Sequence, residues 1–275
     1  LSTAVIDAEV QSARLRPPPT LESYSLQIGG IQLMHRSTGA DFERVRDILE
    51  HLIARHPRQA VPRAWLAKWY VLRVTRGIVR DIGAEAAIAL EHTRRAIDAD
   101  PACSMALAMQ GFVQCHMLRD LDGAMATLQQ ALAVNPHDSL GWLFKGVVHS
   151  LWGEGQQALD AVTEARLLSP LDPLGHYYDA LSAPAALAAG RYELAAEWAQ
   201  RSLRVNRSHS PTLRALAIAL AQLDRLPEAR AVVQSLMVLE PGLTISSYLE
   251  RSPAGANETR RLYAEALHRA GVPIQ

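Results

Sequence analysis

A charge imbalance is missing from this sequence: 28 lysines and arginines are matched by 28 aspartates and glutamates in 275 residues. Without a basic excess there is no sequence-wide attraction for phosphate, so nucleic acid and anionic membrane surfaces are not expected partners. Cysteine is nearly absent. Cys103 and Cys115 stand twelve apart on one predicted helix, about 120° out of register at roughly 100° per residue. A disulfide within that helix is implausible, and both read as small buried residues of a reducing compartment. Long apolar runs are lacking too. None approaches the roughly 18 residues of a spanning helix, and no basic-then-apolar leader opens the chain, so membrane insertion is not expected.

The vocabulary of catalysis is equally thin. There is no phosphate loop, no dinucleotide fingerprint and no strand-turn-helix nucleophile elbow, so no catalytic residue and no cofactor is expected. Ten histidines raise the question of a metal. His51, His56, His116, His137, His149 and His176 lack the i, i+4 pairing with a nearby acid that builds a helical zinc site, and no metal ligand is assigned.

What the chain does have is 49% hydrophobic content, enough for a sizeable core, and an internal period. Between Pro101 and Pro170 the same pattern runs twice: an apolar helical stripe with a small residue (Gly111, Gly146), a break, a second stripe centred on Ala124 or Ala158, and a closing Pro136 or Pro170. The two alanines are 34 residues apart, and so are the two prolines. One extra residue separates Gly111 from Ala124 relative to Gly146 and Ala158. A helix-turn-helix unit at this period resembles the tetratricopeptide repeat, which stacks antiparallel helix pairs into a right-handed superhelix. The expected fold is therefore all-α, with about six pairs and a C-terminal capping helix.

Along the chain, residues 1–20 read as a short amphipathic helix ended by Pro17-Pro18-Pro19 as a linker. Pairs are expected near 21–57, 61–101, 102–136, 138–170, 172–207 and 209–241, and a cap over 242–275. The connection GIVRDIG inside the second pair is long for this repeat, and Pro184 is expected to kink the first helix of the fifth pair. Small residues such as Gly146, Ala158, Ala195, Ala217 and Ala229 are expected where helices cross closely.

At a finer level the segments RLRPPPTLESYSLQIGG, DFERVRDILEHLIARHP, RAWLAKWYVL, LRDLDGAM and YLERSPAGANETRRLYAEALHRAGVP resemble a bacterial group in which such repeats form the carboxy-terminal half of multidomain signalling proteins. In that group an output domain precedes the repeats, either a class III adenylate or guanylate cyclase or a winged-helix DNA-binding domain. The resemblance implies a regulatory half, placed in the cytoplasm when linked to a cyclase and in the periplasm when a membrane helix precedes it. Because the sequence opens on Leu1 rather than methionine, it is expected to extend upstream.

In repeats of this kind the first helix of each pair lines the concave face and selects the ligand. With the register set on Gly146 and Ala158, the inward positions are Leu66, Tyr70 and Arg73; then Ala108, Phe112, Cys115 and His116; then Leu143, Val147 and Ser150. The groove is mostly apolar and lacks the lysine and asparagine set that would clamp a terminal carboxylate. Aligning AWLAKW with GWLFKG places Lys68 and Lys145 at one repeat position with Gln110 between them. These three are either an internal polar ladder for an anion or side chains that snorkel or pair with nearby acids. His149 follows Lys145 by four residues and shares its face. Arg73, Arg76 and Arg80 gather near the long connection, as an anion-binding face or as solvated helix ends. Trp69 becomes a candidate anchor if it faces the groove.

The expected function is a non-catalytic protein-interaction or sensing module. Its partner is expected to be a protein or peptide, with its own upstream domain or a second copy among the candidates. A cyclase-linked region, the same region of a winged-helix regulator and a free-standing adaptor remain open at this point.

Overall fold

Amphipathic stripes cannot be buried by one helix alone, so helix pairs stack on their neighbours and share a continuous core. The computed structural model describes residues 21–36, 39–76, 79, 81–253 and 257–275. The expected first helix and proline linker, and Arg80, lie outside the described residues.

The described residues form fourteen α-helices and no strand. The first four are α1 (Leu21–Arg36), α2 (Ala40–Arg55), α3 (Ala60–Thr75) and α4 (Ile82–Ala99). Next come α5 (Ser104–Val113), α6 (Leu121–Val134), α7 (Ser139–Trp152), α8 (Gly155–Leu168), α9 (Gly175–Ala188) and α10 (Tyr192–Val205). The chain ends with α11 (Ser210–Gln222), α12 (Leu226–Leu239), α13 (Ile245–Arg251) and α14 (Glu258–Arg269). Sequential helices pack against each other from α1 to α12, and each of α3, α5, α7, α9 and α11 packs on the next in that series.

The capping chemistry explains several boundaries. Asp81, Asp120 and Asp138 each accept a backbone N–H at the start of α4, α6 and α7, satisfying donors that the first turn leaves open. Gly153 closes α7 in the left-handed region, which a glycine adopts without Cβ strain. Helix α9 runs through Pro184 without interruption, so the proline removes a donor and does not end the element.

Close crossing explains the small residues. A Cβ at Gly146 would lie 2.5 Å from Val162 Cγ1 and 3.1 Å from the Ala158 carbonyl oxygen, and at Gly111 it would lie 2.8 Å from Leu128 Cγ. Gly155, which has no special place in the repeat pattern, is held even more tightly: a Cβ there would run into the backbone of Ala188 and Ala189. The extra residue of the third pair takes a definite form. It is absorbed as a π-turn over Gln114–Leu118, closed by Arg119 at φ 58. A π-turn widens the helix by one residue and re-aims the side chains it carries.

Two contacts tie distant parts of the array together. Asn206, at the end of α10, donates to the His35 carbonyl of α1 across 171 residues (3.0 Å). Asn257, the N-cap of α14, donates to the Leu151 carbonyl of α7 (2.8 Å). No helix among the described residues is long and apolar enough to cross a membrane.

Candidate functional site: the seat of helix α1 in the groove

The stripe of α3 that faces the interior is Trp65, Lys68 and Leu72, continued by Arg76 at the helix's C-cap, spaced by three and four residues as one helical face requires. It meets the C-terminal end of α1. His35 packs edge-on between Trp65 (ring centroids 5.9 Å) and Tyr177 (4.7 Å), and its Nδ1 lies 2.8 Å from the Ile31 carbonyl. Arg76 Nη2 donates to the Met34 carbonyl (2.8 Å), and Asn206 Nδ2 donates to the next carbonyl, His35. The last carbonyls of a helix have no partner inside it, so two donors from α3 and α10 supply what the helix end needs. Burial lowers the Arg76 guanidinium to about 10, and the Phe42 ring lies 4.1 Å away.

Lys68 lies beneath this seat and is completely buried. Its Nζ sits over Tyr177 (3.8 Å), Trp65 (4.9 Å) and Phe144 (5.4 Å) and has no hydrogen-bond partner among the described residues. Desolvation therefore holds its pKa well below the usual lysine range, opposed by the negative charge of Asp172. His35 is likewise pushed well below its ordinary value, first by burial and then by the Lys68 charge. The stacked pair Phe112–Phe144 (4.2 Å) continues the aromatic lining along the groove.

These positions correct the register expected for pair two. Tyr70 and Arg73 do not face the groove: Tyr70 stacks on His92 of α4 (6.0 Å), and Arg73 bridges Glu85 of α4 (2.8 Å). Trp69 is fully buried against α2, stacked on Phe42 (5.3 Å) with its indole N–H on the Phe42 carbonyl (2.8 Å), and is no groove anchor. Leu66 is fully buried. The AWLAKW and GWLFKG alignment pairs two lysines that each lie over the tryptophan three residues before them, Lys68 over Trp65 (4.9 Å) and Lys145 over Trp142 (4.7 Å). They differ in depth: Lys145 is half-buried, whereas Lys68 is fully buried and also lies over Tyr177 and Phe144.

The remaining expected residues are scattered. Gln110 is half-buried on α5, while Leu143 and Val147 are core residues of α7. His149 binds Glu154 (2.6 Å) beside Trp152. Sequence reading missed His35, Trp65, Tyr177 and Asn206, which come from four separate elements. The signal that could have found them was Trp65 three residues before Lys68, a pairing of ring and cation on one face.

No protein-family model and no curated protein matches the chain. Among solved structures, it is similar to TTC0263, a thermophilic TPR protein from Thermus thermophilus, with TM-score 0.52 and 19% identity over 72% of this chain and 98% of that one. It is similar in the same degree to PilW, a type IV pilus biogenesis factor, with TM-score 0.53 and 19% identity over 77% of this chain and 93% of that one. The fold is that of a tetratricopeptide-repeat array. In this array the carboxy-terminal end of α1 reaches across to Tyr177 of α9 and Asn206 after α10.

Proposed function

We propose that this repeat array is a non-catalytic interaction and sensing module, the carboxy-terminal regulatory region of a bacterial signalling protein whose output domain is a class III nucleotide cyclase. The carrying observation is the capped helix end in the groove: Arg76 and Asn206 hold the Met34 and His35 carbonyls of α1. A groove that satisfies a helix terminus in this way has the chemistry to bind a helical segment of a partner, and α1 is its internal occupant. Displacing α1 moves the segment that leads toward the chain's amino-terminal side, and this links groove occupancy to an upstream output domain. The resemblance carried by RLRPPPTLESYSLQIGG and YLERSPAGANETRRLYAEALHRAGVP supports the cyclase assignment.

The sequence encoded upstream of Leu1 tests the attachment. A cyclase catalytic domain there supports the reading, a winged-helix domain transfers it to a transcriptional regulator, and an initiator methionine beside Leu1 makes the array a free-standing adaptor. In the full-length protein, the double variant Arg76→Ala/Asn206→Ala is expected to change nucleotide-cyclising activity at least threefold while the array remains folded. Unaltered activity in a variant with a demonstrably released α1 would reject the coupling.

A further inference from the structure

A cavity lies between the end of α3, the π-turn, α9, α11 and the terminal helices α13 and α14. Its volume is about 360 Å³, within the roughly 300–1,000 Å³ range of small-molecule sites. Leu187, Ile218 and Ile82 give it apolar walls. Among the described residues, four polar side chains in its lining have an unpartnered buried atom, and two of them are arginines. Arg214 Nε, Arg260 Nε, Tyr263 Oη and His116 Nε2 are all buried without a hydrogen-bond partner among the described residues, and all four side chains line this cavity.

A guanidinium only donates hydrogen bonds. Burial raises the pKa of the Tyr263 phenol, so the phenol keeps its proton. Burial lowers His116 to about 4, so its imidazole is neutral at pH 7 and adds no charge, its Nε2 donating or accepting according to the tautomer. The electrostatics point the same way: Glu240 binds both Arg214 and Arg251 (3.0 Å each), one carboxylate for two guanidinium groups, and Arg260 has no carboxylate partner among the described residues. Unpaired buried donors and uncompensated positive charge make a site for an acceptor-rich anion.

We infer that this cavity binds a small amphipathic anion, a carboxylate or phosphate head on an apolar body, with Arg260, Arg214 and Tyr263 holding the head and Leu187, Ile218 and Ile82 the body. The occupant bridges α14 to α9 and α11, so it reports on the cap and not on the seat of α1.

Isothermal titration of the full chain with octanoate, octyl phosphate and 1-octanol tests this. At least one anion is expected to bind at one per chain, with octanol at least tenfold weaker. Whichever anion binds more tightly identifies the head group. Arg260→Gln is expected to weaken that anion at least tenfold and Tyr263→Phe several-fold, with Asn206→Ala leaving it unchanged, which separates this site from the α1 seat. Failure of both anions to bind, equal binding of octanol, or undiminished affinity in folded Arg260→Gln would overturn the inference. If Arg260→Gln does not fold, Tyr263→Phe decides: wild-type affinity counts against the site.

Discussion

Lys68 concentrates the residue-scale physics of the groove. An ammonium without a hydrogen-bond partner is costly to bury, and three rings offset only part of that cost. Lys68→Met keeps the length and removes the charge, so thermal unfolding is expected to stay level or rise by a few degrees, by about 1–3 kcal/mol at most. A large loss of stability would mean that the cation itself holds the groove together. Three half-buried histidines set a pH dependence. His92 and His116 are lowered to about 4 and His209 to about 3, in each case first by burial. These groups are neutral when folded and take up protons when unfolded, so their stabilisation is complete above about pH 6.5 and is lost as pH falls toward 4. Melting temperatures by circular dichroism should fall between pH 7 and pH 4.5, and His92→Gln should shrink that fall. Lys68 stood out in the sequence as a polar residue in an apolar stripe, but its surroundings did not. Trp65, Phe144 and Tyr177 come from three pairs, and the shared position in AWLAKW and GWLFKG shows only the first of these contacts, the tryptophan three residues before the lysine.

At the scale of elements, close approach decides what is tolerated. Gly155→Ala inserts a methyl against the backbone of Ala188 and Ala189, which cannot swing aside as a side chain can. It is expected to destabilise by about 1–3 kcal/mol, read as a lowered midpoint in urea unfolding with unchanged slope. Gly175→Ala, where a Cβ meets nothing within 4 Å, is the control and should be nearly neutral. The 34-residue spacing of small residues and prolines made the helix-pair fold legible, because the period reflects a stacking geometry repeated unit by unit. The extra residue before Ala124 was visible as a count, yet nothing local said that it would become a π-turn instead of a longer loop. Gly155 was invisible for the opposite reason: its constraint comes from the start of α8 meeting the end of α9, contact between two pairs and not within one.

For the whole molecule, the array is bridged between distant segments, α1 to the end of α10 through Asn206 and α14 to α7 through Asn257. Period and hydrophobic pattern describe neighbours in sequence. A hydrogen bond spanning 171 residues follows from the superhelix as a whole and leaves no mark in either segment. On this reading helix α1 is seated by donors at its carboxy-terminal end, Arg76 and Asn206. Hydrogen–deuterium exchange on the full chain tests it most directly, comparing the wild type with Arg76→Ala/Asn206→Ala. Losing two such donors should weaken the seat by about 1–3 kcal/mol, so amide exchange over residues 31–36 should accelerate at least fivefold while α7 and α11 keep their protection. Unchanged exchange in α1, or equal acceleration throughout the array, would contradict the account.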